Sequence, residues 1–133
     1  MQPVALVIVI AAGTWLAGVG LLMLARPAFC LQLFERMTAS LESSNWRLQV
    51  SEQGLRILAG AALVVRAPAA KLPLAFEIAG WALVASSVMV LLAPIRWHGA
   101  YGRWWTGRIR PWWIRCLSPV PLLAGAGLIY AAL

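Results

Sequence analysis

From Val4 to Ala25 the chain runs for 22 residues without a charged side chain. At ~1.5 Å per residue that run reaches ~33 Å as a helix, enough to cross a hydrocarbon core of ~30 Å. A secretory leader has a basic start and a shorter apolar core. Met1-Gln2-Pro3 is not basic and the run is long, so the expectation is a retained transmembrane helix. Arg26-Pro27 closes it.

The next stretch, Phe29 to Asn45, is mixed, with Glu35, Arg36, Glu42 and a Ser43-Ser44-Asn45 cluster. Leu31, Phe34, Met37 and Leu41 recur every three or four residues. This spacing predicts a short amphipathic helix at the membrane surface. The second span is drawn from Leu48 to Ala67. Glu52 and Arg56 fall in its first half with the i,i+4 spacing of a helical ion pair, and Arg66 marks its end.

Leu72 to Ala93 forms the third span, with Pro73 in its opening turn and Pro94 as its stop. The fourth runs from Cys116 to Leu133, with Ser118-Pro119 as an N-cap and first-turn proline. From Pro119 the apolar length is ~22 Å, short of a crossing. Either Trp112 to Leu117 supplies the missing depth or this helix enters without fully crossing. Apolar runs ending in Ala and Pro near 27, 68 and 94 reflect the use of proline at helix ends, and no duplication is read from them.

The pattern therefore predicts an all-α, single-domain integral membrane protein, a bundle of four transmembrane helices with interfacial segments at 26–47 and 94–115. Those two loops hold eight positive residues, against Arg66 and Lys71 in the remaining loop. The positive-inside rule places the long loops in the cytoplasm and both termini outside.

Composition agrees, with 62% hydrophobic and 11% charged residues, where soluble domains carry about a quarter charged. Arg outnumbers Lys ten to one and Ala, Gly and Pro are frequent. These residue types share GC-rich codons, which directs the expectation to a bacterial inner membrane. A net charge of +7 in a soluble chain would suggest nucleic acid. Here the arginines cluster between apolar runs, so membrane topology accounts for them. Cys30 and Cys116 have neither metal nor redox spacing.

The segment from Arg96 to Arg115 holds five of the eight Trp. On a helix Trp97, Tyr101, Trp104 and Trp105 share one side, with Arg96 and Arg103 turned away. Gly99, Gly102, Gly107 and Pro111 weaken a long helix, so a short interfacial helix followed by an irregular connector is expected. Trp and Tyr favour the headgroup level, and arginine meets anionic lipid phosphate there. The candidate lipid- or partner-binding set is Arg96, Trp97, Tyr101, Arg103, Trp104, Trp105, Arg108, Arg110, Trp112, Trp113 and Arg115.

Glu77 lies inside an apolar run, a position where a carboxylate is a functional candidate. The structural alternative is a pair with Arg66 across a tight turn. Glu52 and Arg56 complete the intramembrane set. Ala75, Ala79, Ala82 and Ser86 place small side chains on one face of the third span, as do Gly13 with Ala17 and Gly127 with Ala131 in the first and last. Such faces let helices approach closely, here expected inside the bundle.

No metal or other cofactor is expected. His98 stands alone, read as an interfacial side chain, and Ser86, Ser87 and Ser118 have no adjacent base. The expected function is a non-enzymatic accessory or assembly subunit of a larger membrane complex. Its partners would be the bilayer, an anionic phospholipid, and another membrane protein or a second copy. A small transporter or lipid-handling protein using Glu77 is the alternative.

Overall fold

The computed structural model of the chain describes residues 1–42 and 46–133, with the side chains of all but Leu41 and Glu42. The Ser43-Ser44-Asn45 cluster and the Leu41 side chain of the amphipathic pattern thus lie outside the described residues. Among the described residues seven helices follow one another: α1 (Gln2–Ala25), α2 (Pro27–Glu42), α3 (Trp46–Arg66), α4 (Pro73–Leu92), α5 (Ile95–Thr106), α6 (Pro111–Leu117) and α7 (Pro119–Ala132), with a 3-10 turn at Ala67–Ala69.

Proline punctuates the boundaries as the sequence implied. Arg26, which precedes Pro27, leaves the helical region at φ −136° and ψ 66°, and Ala93 before Pro94 is extended. Ser118 behaves differently from an N-cap. It is itself helical, and its hydroxyl donates backward to the Arg115 carbonyl at 2.7 Å. Consequently α6 runs into α7 and the pair forms a single apolar stretch, Pro111–Ala132, of 22 residues. The depth that α7 lacks is supplied by α6.

Among the described residues three helices are long and apolar enough to span a membrane: α1, α4 and the α6–α7 stretch. The expected second span, α3, has 21 residues, but its first half carries Arg47, Glu52 and Arg56. It nevertheless runs alongside the others. Gln2 Nε2 donates to the Val65 carbonyl at 2.8 Å, and Gln49 Nε2 to the Val90 carbonyl at 3.0 Å. Those two bonds place the ends of α3 level with the start of α1 and the end of α4.

The long helices pack in the order α4–α3–α1–α7, and Lys71, just before α4, donates its backbone N–H to the Ala131 carbonyl of α7 at 2.9 Å. α2 lies across one end, touching α1, α3 and α6, and α5 packs on α2. At the opposite end Ala5, Val9, Leu63, Ala67, Phe76 and Ala132 make the apolar core.

Two seams are very close. A Cβ on Gly13 would stand 2.9 Å from the Gly125 carbonyl oxygen, and one on Gly60 2.8 Å from that of Gly80. Only glycine lets these backbones meet. The small-residue faces drawn from the sequence are thus partly reassigned. Gly13 and Ala17 do meet α7, but at Gly125; a Cβ on Gly127 would meet nothing within 4 Å. On α4 the internal face is Phe76, Gly80 and Ser87, while Ala75, Ala79, Ala82 and Ser86 all point outward.

The row also contains an internal repeat. Leu58-Ala-Gly-Ala-Ala-Leu-Val64 in α3 matches Leu123-Ala-Gly-Ala-Gly-Leu-Ile129 in α7 at five of seven positions. Ala12-Gly13 with Leu16 in α1 matches Ala79-Gly80 with Leu83 in α4. Each unit is a long helix, a proline-opened amphipathic helix and a second long helix: α1–α2–α3, then α4–α5–α6/α7. Equivalent positions are buried together: Val9 with Phe76, Gly13 with Gly80, Gly20 with Ser87, Gln53 with Ser118, Gly60 with Gly125 and Ala67 with Ala132. The units exchange partners, α1 packing on α7 and α3 on α4, each through its glycines.

Candidate functional site

α5 spans the densest part of the aromatic segment. Its internal side is Ile95, Gly99, Gly102 and Thr106, and a Cβ on Gly102 would collide with the Thr38 side chain of α2. Gly102, one of the glycines expected to weaken a long helix, lets α5 lie tightly on α2. Opposite this internal side, Trp97, Tyr101, Trp104 and Trp105 are all exposed, Trp97 at 72%. Trp105 stands edge-on to both Tyr101 and Trp104, with ring centroids 6.2 and 5.1 Å apart. Mutual edge-to-face contact stiffens the row while leaving its outer surface open. Trp112 and Trp113 continue the exposed aromatic surface onto α6. His98 is half-buried on α5.

The candidate arginines divide by what they already hold. Arg108 donates to the Trp104 carbonyl at 3.0 Å and stacks 3.8 Å above the Trp104 ring, closing the C-terminal turn of α5. Arg115 donates to the Leu24 carbonyl at 3.1 Å, satisfying an end carbonyl of α1. Both have structural tasks that spacing did not reveal. Arg103 lines a shallow cleft of about 270 Å³ between α2 and α5 with Glu35, Thr38, Ala39, Thr106 and Gly107. Glu35 and Thr38 were not candidates from sequence, because only the packing of α2 on α5 brings them to Arg103. Arg96 and Arg110 are exposed, the first in the opening turn of α5 and the second just before α6.

The intramembrane set is not brought together. Arg66 donates to the Ala132 carbonyl from Nε at 3.1 Å and from Nη2 at 2.8 Å, and also reaches Gln2 Oε1 at 3.4 Å. Unsatisfied carbonyls at the end of α7 therefore win Arg66, and the expected Glu77–Arg66 pair is not formed. Glu77 is exposed on α4. Glu52 and Arg56 do pair, at 2.9 Å within α3.

The two units differ most along the first half of α3. Gln49, Glu52, Gln53 and Arg56 stand where the second unit has Ile114, Leu117, Ser118 and Pro121. Gln53 is fully buried, and neither its Nε2 nor its Oε1 has a hydrogen-bond partner. It shares a helix face with Gln49 and Gly60, and so lies in the α3–α4 seam. Among the described residues no group of three His, Cys, Asp or Glu is placed to hold a metal.

Cys30 is buried on α2, and that burial raises its thiol pKa. Both effects lower the available thiolate. Maleimide labelling at pH 8 is expected to modify Cys30 at least tenfold more slowly in the folded protein than after SDS unfolding. Equal rates would show that α2 does not pack as described.

Comparison of the chain with protein-family models, with curated proteins and with solved structures finds no match.

Proposed function

We propose that the chain is a non-enzymatic integral membrane protein of the bacterial inner membrane, acting as an accessory or assembly subunit that seats its basic aromatic end on anionic headgroups. The observation that carries this reading is the exposed row Trp97, Tyr101, Trp104 and Trp105, turned directly away from the glycine face that fastens α5 to α2. A row packed from behind and open in front suits the headgroup layer, where an aromatic ring finds both apolar and polar surroundings.

In this reading α3 is the fourth crossing. Its ends are level with those of α1 and α4, Glu52 and Arg56 neutralise each other, and Gln49 and Gln53 turn into the seam. The α2–α5 end, with the eight positive residues, then faces the cytoplasm.

Native mass spectrometry in mild detergent tests the lipid contact. The protein is expected to retain phosphatidylglycerol in preference to phosphatidylcholine. At ~1 kcal/mol per basic residue, Arg96→Ala with Arg110→Ala lowers that retention by ~10- to 30-fold. Unchanged retention, or no preference for the anionic lipid, overturns the headgroup reading. The same spectra report any co-purifying subunit, and a chain that carries neither lipid nor a reproducible partner overturns the accessory role.

A further inference from the structure

The cleft between α2 and α5 differs in chemistry from the basic surface around it. Glu35 on α2 and Arg103 on α5 both line it, and both are exposed. Among the described residues no salt bridge joins the two. Opposite charges that are not spent on each other give the cleft a negative and a positive end. Counted from the opening prolines Pro27 and Pro94, Arg103 repeats Arg36, whereas Glu35 falls where α5 has Gly102. The arginine therefore belongs to the pattern of both units, and the carboxylate is particular to this cleft.

Two threonines make the negative end an acceptor site. Thr38 Oγ1 donates its proton to the Glu35 carbonyl at 3.0 Å, and Thr106 Oγ1 donates to the Arg103 carbonyl at 3.1 Å. With those protons committed, each hydroxyl has only lone pairs left for a ligand, and an ionised carboxylate is acceptor-only as well. An anion alone would meet Arg103 but be repelled by Glu35. A primary ammonium instead brings three N–H donors, one for each acceptor.

We infer that the cleft holds the headgroup of phosphatidylethanolamine, its ammonium on Glu35, Thr38 and Thr106 and its phosphate at Arg103. The cleft volume of about 270 Å³ equals roughly nine water-sized groups at ~30 Å³ each. That is room for an ammonium, two methylenes and a phosphate. A lipid is favoured over a soluble amine by position. The exposed Trp104 and Trp105 stand between Arg103 and Thr106 in α5, so the cleft shares the level at which aromatic rings meet headgroups. The assignment rests on the headgroup reading above, but it uses different residues from Arg96 and Arg110.

The N-methylation series tests it with the protein unaltered, because each methyl group removes one N–H donor. The full chain in mild detergent is offered equal amounts of phosphatidylethanolamine, its N-methyl and N,N-dimethyl derivatives, and phosphatidylcholine, and native mass spectrometry reads which is retained. Retention is expected to fall at each methylation, by about tenfold or more in all, the scale of one hydrogen bond to a charged group. Glu35→Gln is expected to flatten the series without lowering phosphatidylglycerol retention, since removing a negative charge does not weaken an anionic ligand. A flat series in the wild-type protein overturns the inference, and so does a Glu35→Gln protein that keeps the slope. If phosphatidylglycerol is still retained, the headgroup reading survives that failure; retention of neither lipid overturns both. Phosphoethanolamine without acyl chains, competing as effectively as the lipid, overturns the lipid assignment in favour of a soluble ligand. A co-purifying protein released by Glu35→Gln at unchanged lipid retention overturns it in favour of a partner's lysine.

Discussion

Gly60→Leu is expected to collapse the α3–α4 seam and to cost about 3 kcal/mol or more, above the ~1–3 kcal/mol typical of an overpacked core. A Cβ at this position would stand 2.8 Å from the Gly80 carbonyl oxygen and 2.8 Å from a Val84 methyl. The first obstacle is backbone, which cannot turn aside as a side chain does, so the two helices must separate along their length. Gly54→Leu provides the comparison within the same helix. Nothing lies within 4 Å of a Cβ there, and replacing a helical glycine gains ~0.5–1 kcal/mol in propensity. Folded fraction against SDS concentration, read by the fluorescence of a C-terminal reporter, should separate the two variants by a large midpoint shift. Equal midpoints would show that α3 and α4 do not meet through these glycines.

Gln53→Leu is expected to act in the opposite direction. A buried amide without partners costs ~1–3 kcal/mol, and leucine has nearly the same volume without the polar atoms. The gain should approach that figure and appear as a higher SDS midpoint. Gln49→Leu supplies the contrast, because Gln49 satisfies the Val90 carbonyl near the end of α4. Its replacement leaves that oxygen unpaired and should cost about 1 kcal/mol. A loss of stability in Gln53→Leu would overturn the account and show that the amide holds a polar group in the seam. That seam is where the two repeat units diverge most.

Much of the architecture was legible from hydrophobic periodicity and proline. The lengths of α1 and α4, the amphipathic α2, the short α5 and its aromatic side all follow from which positions repeat. The assignment of neighbours was not legible. Ala75, Ala79, Ala82 and Ser86 permit close approach, but spacing does not say which helix approaches, and the internal contact falls on Gly80. Gly102 lowers helix propensity, yet α2 packed against it more than compensates. Arg66 was expected to seek Glu77, but an end carbonyl without a partner is a competing acceptor that hydropathy does not register. The repeat is hard to read from sequence because its identities are mostly small apolar residues common to any membrane helix. Only shared burial separates those matches from coincidence.

The exchange of partners between units has a consequence for biosynthesis. Gly13 in α1 finds its seam only when Gly125 in α7 has been made. At ~5–20 residues per second those two points are separated by roughly 6–22 s of elongation. Throughout that interval the nascent first helix offers lipid a backbone groove floored by Gly13 and Gly20, while α3 and α4, adjacent in the chain, zip together at once. Assembly therefore runs outward from the middle of the chain, and the glycine face of α1 is among the last surfaces to be covered.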